Sequence, residues 1–483
     1  EMCIRDRYYI LLGLTTLFCS CNDWLDITPK TNVEEKDLFK NEQGFKEALT
    51  GVYIKMSTTQ LYGREMTYGF IDQLAQRYYN NENLETDYDK ITWYTYPSTR
   101  TQTYYETFWT SDYFLIANLN NLLDNIEKRG NVIHTAGYKD IIKGEALGLR
   151  SFLYFDLLRM FGPIYKDNAS SPSIPYRTHL NRDVAKLLPA SVVADSIVKS
   201  LKQAETLLEN DPMNIAFPSY DDDGSTDPFL KHRFNRMNKY AVKAELARVY
   251  MWMGDKVNAA KYAQEVIDAK KADGSKRFAL ITDNAQDKVG STELLFALNM
   301  DSQTFPSRVK SEFTIAMWNK YIILGDGNRL DKIFDTTVDG QNDMRYKDGA
   351  GFAISSNGAY MLKYTQSGLY SPVLQNTMPL IRLPEMYYIL AECTDDLAES
   401  ADLLSIVRGA RGLEDLQPFT NESEKLYNIE KEYRKEFYGE GQLWFFYKRQ
   451  GYKTFQFCPI SNMTEARYRF PIPDDETVLG NVN

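Results

Sequence analysis

Between Asn238 and Asp268 the apolar residues recur at helical spacing on either side of one break, and no other segment constrains the fold as much. Ala244, Ala247, Tyr250 and Met251 share one helix face, Gly254-Asp255 interrupts it, and Ala259, Tyr262, Ala263 and Val266 resume the same period. The segment reads as a helical hairpin. Small alanines stand where the two helices cross, and bulky aromatics stand beside them, so one helix can approach its partner closely.

That arrangement is the tetratricopeptide pattern, and it recurs along the chain with less regularity. From Gly137 to Phe161, Ala146, Leu149, Leu153, Leu157 and Met160 form one stripe, while Gly144, Gly148 and Ser151 form another of small residues. A glycine inside a helix costs about 1 kcal/mol, so two at this spacing point to a close contact with the helix backbone. Gly162-Pro163 ends the helix, and Ser191 to Leu208 reads as its antiparallel partner. Further on, Pro384 and Glu385 launch a helix to Cys393, Asp395-Asp396 turns into a second from Leu397 to Arg408, and Leu426, Ile429, Tyr433 and Phe437 mark a third running toward Trp444-Phe445-Phe446-Tyr447. With Phe45 to Met56 and Tyr113 to Ile126 this makes about eight helices in four pairs. The fold class is mainly α, a tetratricopeptide-like helical-hairpin scaffold with large irregular loop regions and a few short strands.

Two segments stand outside the helical period. Residues 62–109 hold nine Tyr, two Phe and two Trp, and residues 271–380 mix strand-like runs such as Leu294 to Leu298 with Gly, Asp and Asn turns. Loops carried on a rigid scaffold are where binding residues concentrate.

At the other end of the argument stands a short apolar run, Ile10 to Phe18, preceded by Arg5 and Arg7 and followed by Cys19-Ser20-Cys21. It is too short for a permanent membrane span and reads as a secretory signal over residues 1–20, with Cys21 the lipid-acylated first residue of the mature chain. Glu1 to Arg7 contains no leading Met and is given no weight. A formal charge of −10 leaves no cationic excess for phosphates, which argues against nucleic acid as a partner. Beyond Cys21 only Cys393 and Cys458 remain, expected as unpaired thiols rather than a disulfide framework.

Six motifs in order carry a resemblance that spans nearly the whole chain: Cys21-Asn22-Asp23-Trp24-Leu25-Asp26; Gly144-Glu145-Ala146 with Leu149-Arg150-Ser151-Phe152-Leu153-Tyr154-Phe155-Asp156-Leu157 and the Phe161-Gly162-Pro163 break; Asn238-Lys239-Tyr240-Ala241 through Gly254-Asp255; Pro379-Leu380-Ile381-Arg382-Leu383-Pro384-Glu385-Met386-Tyr387 to Ala391-Glu392-Cys393; Glu436-Phe437-Tyr438-Gly439-Glu440-Gly441; and Phe470-Pro471-Ile472-Pro473. In these the chain resembles the SusD/RagB-like outer-membrane nutrient-uptake lipoproteins. It departs from many members after the Glu-Gly element, where Gln442-Leu443-Trp444-Phe445-Phe446-Tyr447 is apolar. The resemblance implies a single domain over residues 21–483, with helical scaffold and aromatic loops at 21–270, a variable loop-rich segment at 271–380 and a helical signature region at 381–483. It also implies a lipid-anchored, surface-exposed outer-membrane protein that captures an oligosaccharide or similar nutrient for a SusC-like TonB-dependent transporter, without catalysis and without a cofactor.

Sugar recognition asks for flat apolar faces beside amide or carboxylate groups. Tyr68, Tyr78, Tyr79, Trp93 and Tyr94, with Asp72 and Asn81, are one set of candidate contacts, and Trp318, Asn319 and Tyr321 a second. Arg382 and Glu385 look like a catalytic pair but are read as structural at a helix start. Asp221 to Asp227 lacks calcium-loop spacing, and His134, His179 and His232 are scattered without a zinc motif, so no metal is expected. No nucleophile elbow, Walker loop or Rossmann glycine pattern is present. Two readings stay open beside the nutrient binder: a tetratricopeptide-type surface adaptor for proteins or peptides, and a surface glycan hydrolase whose two carboxylates would be hidden among 66 acidic residues.

Overall fold

Helices α1 (Glu42–Met56), α2 (Thr99–Arg129), α3 (Tyr138–Phe161), α4 (Ala190–Leu207), α5 (Lys239–Met253) and α6 (Lys256–Ile267) pack each against the next in chain order, and α6 passes the array on to α7 (Leu383–Cys393). Helix α7 packs in turn on α8 (Leu397–Ala410) and α9 (Glu422–Glu436), and α9 on α10 (Gln442–Gln450). The computed structural model describes residues 35–78, 91–96, 99–181, 183–213, 227–285, 287–315, 323–324, 328–365 and 372–479. Mainly helical, the chain has the expected hairpin scaffold with short strands between its halves.

Local chemistry fixes the hairpin ends. Asn238 caps α5 by accepting from the Tyr240 and Ala241 amides, Gly254 takes φ +80° to end it, and Asp255 caps α6 by accepting from Asn258. The small residues of α3 admit their neighbours: a Cβ on Gly144 would stand 2.6 Å from Leu208 Cγ, and one on Gly148 2.5 Å from Met237 Cγ. The close contact expected along this helix is thus made by partner side chains lying on its backbone.

Two expected boundaries are corrected. Helix α2 begins at Thr99, so the last part of the aromatic segment is helix rather than loop. Helix α9 does not run into the Trp444 cluster. It stops at Glu436, and α10 starts afresh after Gly441, whose φ is +71°.

Strand β1 (Leu294–Asn299) pairs antiparallel with β4 (Thr377–Arg382), from Leu294 opposite Arg382 to Asn299 opposite Thr377, while β2 (Phe352–Ser355) and β3 (Gly358–Met361) form a hairpin. Both β1 and β4 are buried almost throughout, so β4 delivers Arg382 into the interior at the start of α7. Among the described residues no helix is long and apolar enough to cross a membrane. The first 34 residues, including Cys21, lie outside the described residues.

Candidate functional site

The two loop segments that the sequence leaves more than 200 residues apart are brought onto one face. Tyr68 donates its hydroxyl to Glu312 at 2.6 Å, and its ring packs on Phe313 and Tyr364 with centroids 5.1 and 5.5 Å away. Arg64 pairs with Glu312 at 3.0 Å, Arg308 donates to the Gly63 carbonyl at 3.0 Å, and Arg329 to the Gln76 carbonyl. The junction is therefore sewn by charged hydrogen bonds around an aromatic centre.

Most of the expected contact residues that can be placed form the floor of this face, which corrects their reading as a ligand surface. Tyr68, Asp72 and Tyr78 are fully buried and Tyr94 nearly so. Tyr78 sets its edge on Tyr438, and Tyr94 stacks on Trp444 at 5.5 Å with the planes 11° apart. The Tyr94 hydroxyl donates to the Leu74 carbonyl and accepts from Gln76 Nε2, each at 3.0 Å. Asp72 accepts from the Gly439 amide at 2.8 Å, the Gly441 amide at 3.2 Å and the Tyr78 hydroxyl at 3.3 Å. Burial pushes its carboxyl up to about 6, against the pull of Arg77 and the two amides. A tyrosine in a sequence does not reveal whether water or protein satisfies its hydroxyl, and here protein does.

Trp93 is the exception, with 44% of its surface exposed. The backbone explains why it differs from its neighbour. Tyr94 holds φ +56° and Gln76 φ +57°, a left-handed conformation that costs a non-glycine residue about 1–2 kcal/mol. Gln76 Nε2 also donates to the Thr92 carbonyl at 2.8 Å, fixing the turn from beneath. The chain reversal sends the Tyr94 ring into the core and leaves the indole of Trp93 on the surface. Tyr79, Asn81, Trp318, Asn319 and Tyr321 lie outside the described residues, as does most of the Asp221 to Asp227 loop.

Beneath the face lies a buried charge network that sequence reasoning missed. Arg382 bonds Glu293 at 2.9 Å, Glu436 at 2.6 Å and Glu440 at 2.7 Å, and Arg411 shares Glu293 and Glu436. Arg345 joins Asp343, Glu432 and Glu436 at 2.7 to 3.0 Å. Burial alone would raise Glu436, but Arg411, Arg382 and Arg345 hold it well below the usual carboxylate range. Glu385 pairs with Arg248 at 2.6 Å, so both residues of the apparent catalytic pair serve ion pairs inside the fold. The available signal was the spacing of Glu432 and Glu436 on one face of α9, four residues apart.

Cys393 and Cys458 are both free thiols, the first against Met251 Sδ and the second 3.9 Å from the Tyr94 hydroxyl. Among the described residues no group of three or more His, Cys, Asp or Glu could hold a metal ion. A separate cleft of ≈ 530 Å³, with Asp124, Lys143, Arg150, His179 and Gln203 on its walls, opens between α2, α3 and α4, and Tyr176 is its one Tyr, Phe or Trp.

Comparison with known proteins fits this geometry. Residues 23–220 match a family model described as "Starch-binding associating with outer membrane", and residues 220–469 match the SusD family model. The chain belongs to the SusD family. The SusD-like protein P2 of Formosa agariphila is 25% identical over 273 residues, covering 54% of this chain and 45% of that protein, so the chain spans about half the length of this curated relative. A solved SusD superfamily protein from Bacteroides thetaiotaomicron superposes with a TM-score of 0.69 at 22% identity, covering 91% of this chain and 98% of the other. A laminarin-binding SusD-like protein superposes with a TM-score of 0.58 at 19% identity, covering 85% and 92%.

Proposed function

We propose that this SusD family member is a non-catalytic, glycan-binding lipoprotein of the outer membrane. It is acylated at Cys21, exposed at the cell surface, and passes a captured oligosaccharide to a SusC-like TonB-dependent transporter. The observation that carries the reading is the exposed indole of Trp93, held outward by a strained turn over a rigid aromatic floor where two loop segments converge. A flat ring on a fixed support offers the stacking surface a pyranose needs, at little ordering cost. Trp318, Asn319, Tyr321, Tyr79 and Asn81 belong to the same two sequence segments and are proposed as further ligand contacts. Stacking with a few hydrogen bonds gives modest affinity, which suits hand-over better than a closed cage.

The family description names starch, and one relative of the same fold binds laminarin, so both glucans belong in the first panel. Calorimetry and affinity electrophoresis of the mature chain should show saturable binding to at least one polysaccharide, with no reducing ends released over hours. Expression beside its transporter should yield a co-purifying pair. Release of reducing ends would turn the reading toward a hydrolase, and co-purification without any glycan binding would turn it toward an adaptor.

A further inference from the structure

Beside Tyr438 lies a narrow pocket of ≈ 50 Å³ with several cationic side chains on its walls. Lys288, Arg345, Lys363, Arg382, Arg411 and Lys435 line it, with Glu436 the one carboxylate among the lining residues. The three arginines and Lys363 are held by carboxylates and carbonyls around the pocket. Lys435 is ion-paired but not hydrogen-bonded, and Lys288 has neither kind of partner among the described residues. Lys288 is half-buried; its neighbour Asp287 accepts through Oδ2 from the amide and hydroxyl of Ser291, 2.7 and 2.6 Å away, while its Oδ1 forms no hydrogen bond. The Lys435 side chain is fully buried, and its ammonium has no hydrogen-bond partner, the carboxylates of Asp335 and Glu432 standing 3.5 and 3.7 Å off.

Ammonium groups withdrawn from water without full hydrogen bonding are costly, and the natural relief is an anion that accepts from both. Burial with no opposing charge already pulls the Lys288 ammonium below the usual lysine range. An oxyanion offers several acceptor lone pairs in a small volume. Phe352 and Met344 supply apolar wall for whatever the oxyanion is attached to.

We propose that this pocket is a binding site for a small oxyanion, the carboxylate of an acidic sugar or a free sulfate, gripped by Lys288 and Lys435. The inference stands apart from the glycan reading of the Trp93 face, because neither lysine belongs to that face.

The test is thermal unfolding of the purified protein titrated with sodium sulfate or sodium glucuronate, against sodium chloride at matched ionic strength and against neutral glucose. At least one of the two oxyanions should raise Tm saturably while chloride and glucose do not. Sulfate acting alone identifies the free oxyanion, and glucuronate acting alone identifies the sugar acid. Lys288→Gln should weaken the effective anion about tenfold or more, with unliganded Tm unchanged or raised, and Lys288→Arg should keep the response. Failure of both salts to exceed chloride would overturn the proposal, as would a Lys288→Gln protein that responds like the parent. Loss of glycan binding at Trp93 would leave these outcomes unaffected.

Discussion

Asp72 and Gly439 are joined by a 2.8 Å hydrogen bond across 367 residues of chain. The same carboxylate holds the Gly441 amide, so one buried side chain ties the aromatic segment to the turn between α9 and α10. That turn needs glycine: Gly441 holds φ +71°, and a Cβ there would stand 2.7 Å from the Met66 carbonyl oxygen. Gly441→Ala should therefore lose about 2–4 kcal/mol, from left-handed strain plus a backbone clash. Urea unfolding read by tryptophan fluorescence would measure it.

Neighbouring residues Trp93 and Tyr94 should respond oppositely to truncation. Trp93→Ala should leave the unfolding midpoint within about 0.5 kcal/mol of the parent and weaken glycan binding about tenfold. Tyr94→Ala removes a buried ring stacked on Trp444 and should cost about 3–5 kcal/mol. Calorimetric titration and chemical unfolding of the two variants side by side separate rim from floor.

Arg382 should tolerate no substitution. Arg382→Met removes one cationic partner from the buried carboxylates of Glu293, Glu436 and Glu440, leaving the first two to Arg411 and the third to Lys363, for a loss of about 3–5 kcal/mol. Arg382→Lys should recover only part of it, because an ammonium cannot present the fork of donors that reaches three partners. Differential scanning calorimetry ranks the three proteins.

A pH effect follows from Glu245, which is fully buried, has neither oxygen hydrogen-bonded, and faces Arg248 at 3.5 Å. Burial pushes its carboxyl up to about 7 from an ordinary 4.5. The folded state therefore holds the proton more tightly than the unfolded chain. The stability this contributes is complete below about pH 4.5 and is lost as pH rises through about 7. Replacing the carboxylate by an amide in Glu245→Gln should flatten the stability profile between pH 5 and 8 by about 2–3 kcal/mol relative to the parent. Unfolding curves collected across that range would show whether the slope changes.

Cys21→Ser should move the protein from the membrane fraction to the soluble fraction and abolish incorporation of labelled palmitate, because a single peripheral contact cannot replace buried acyl chains. Fractionation with metabolic labelling checks both.

The helical array could be read from the sequence because its signal is local: the 3.6-residue period of α5 and α6, the Asn238 cap and the Gly254 break all act within a few residues of themselves. The charge network could not, since Arg382 meets Glu293 and Glu440 across 89 and 58 residues, and nothing near Arg382 names its partners. The aromatic segment was found but turned inside out. Its composition identified where the rings concentrate, whereas the direction of each ring depends on backbone reversals at Gln76 and Tyr94, two residues with no propensity for left-handed turns.

The division between Trp93 and the tyrosines behind it has an evolutionary consequence. Every described tyrosine of the floor has its hydroxyl answered by protein, so the fold does not depend on whichever molecule lands above it. On the proposed reading, the chain can then exchange Trp93 for another ligand contact without relearning how to fold.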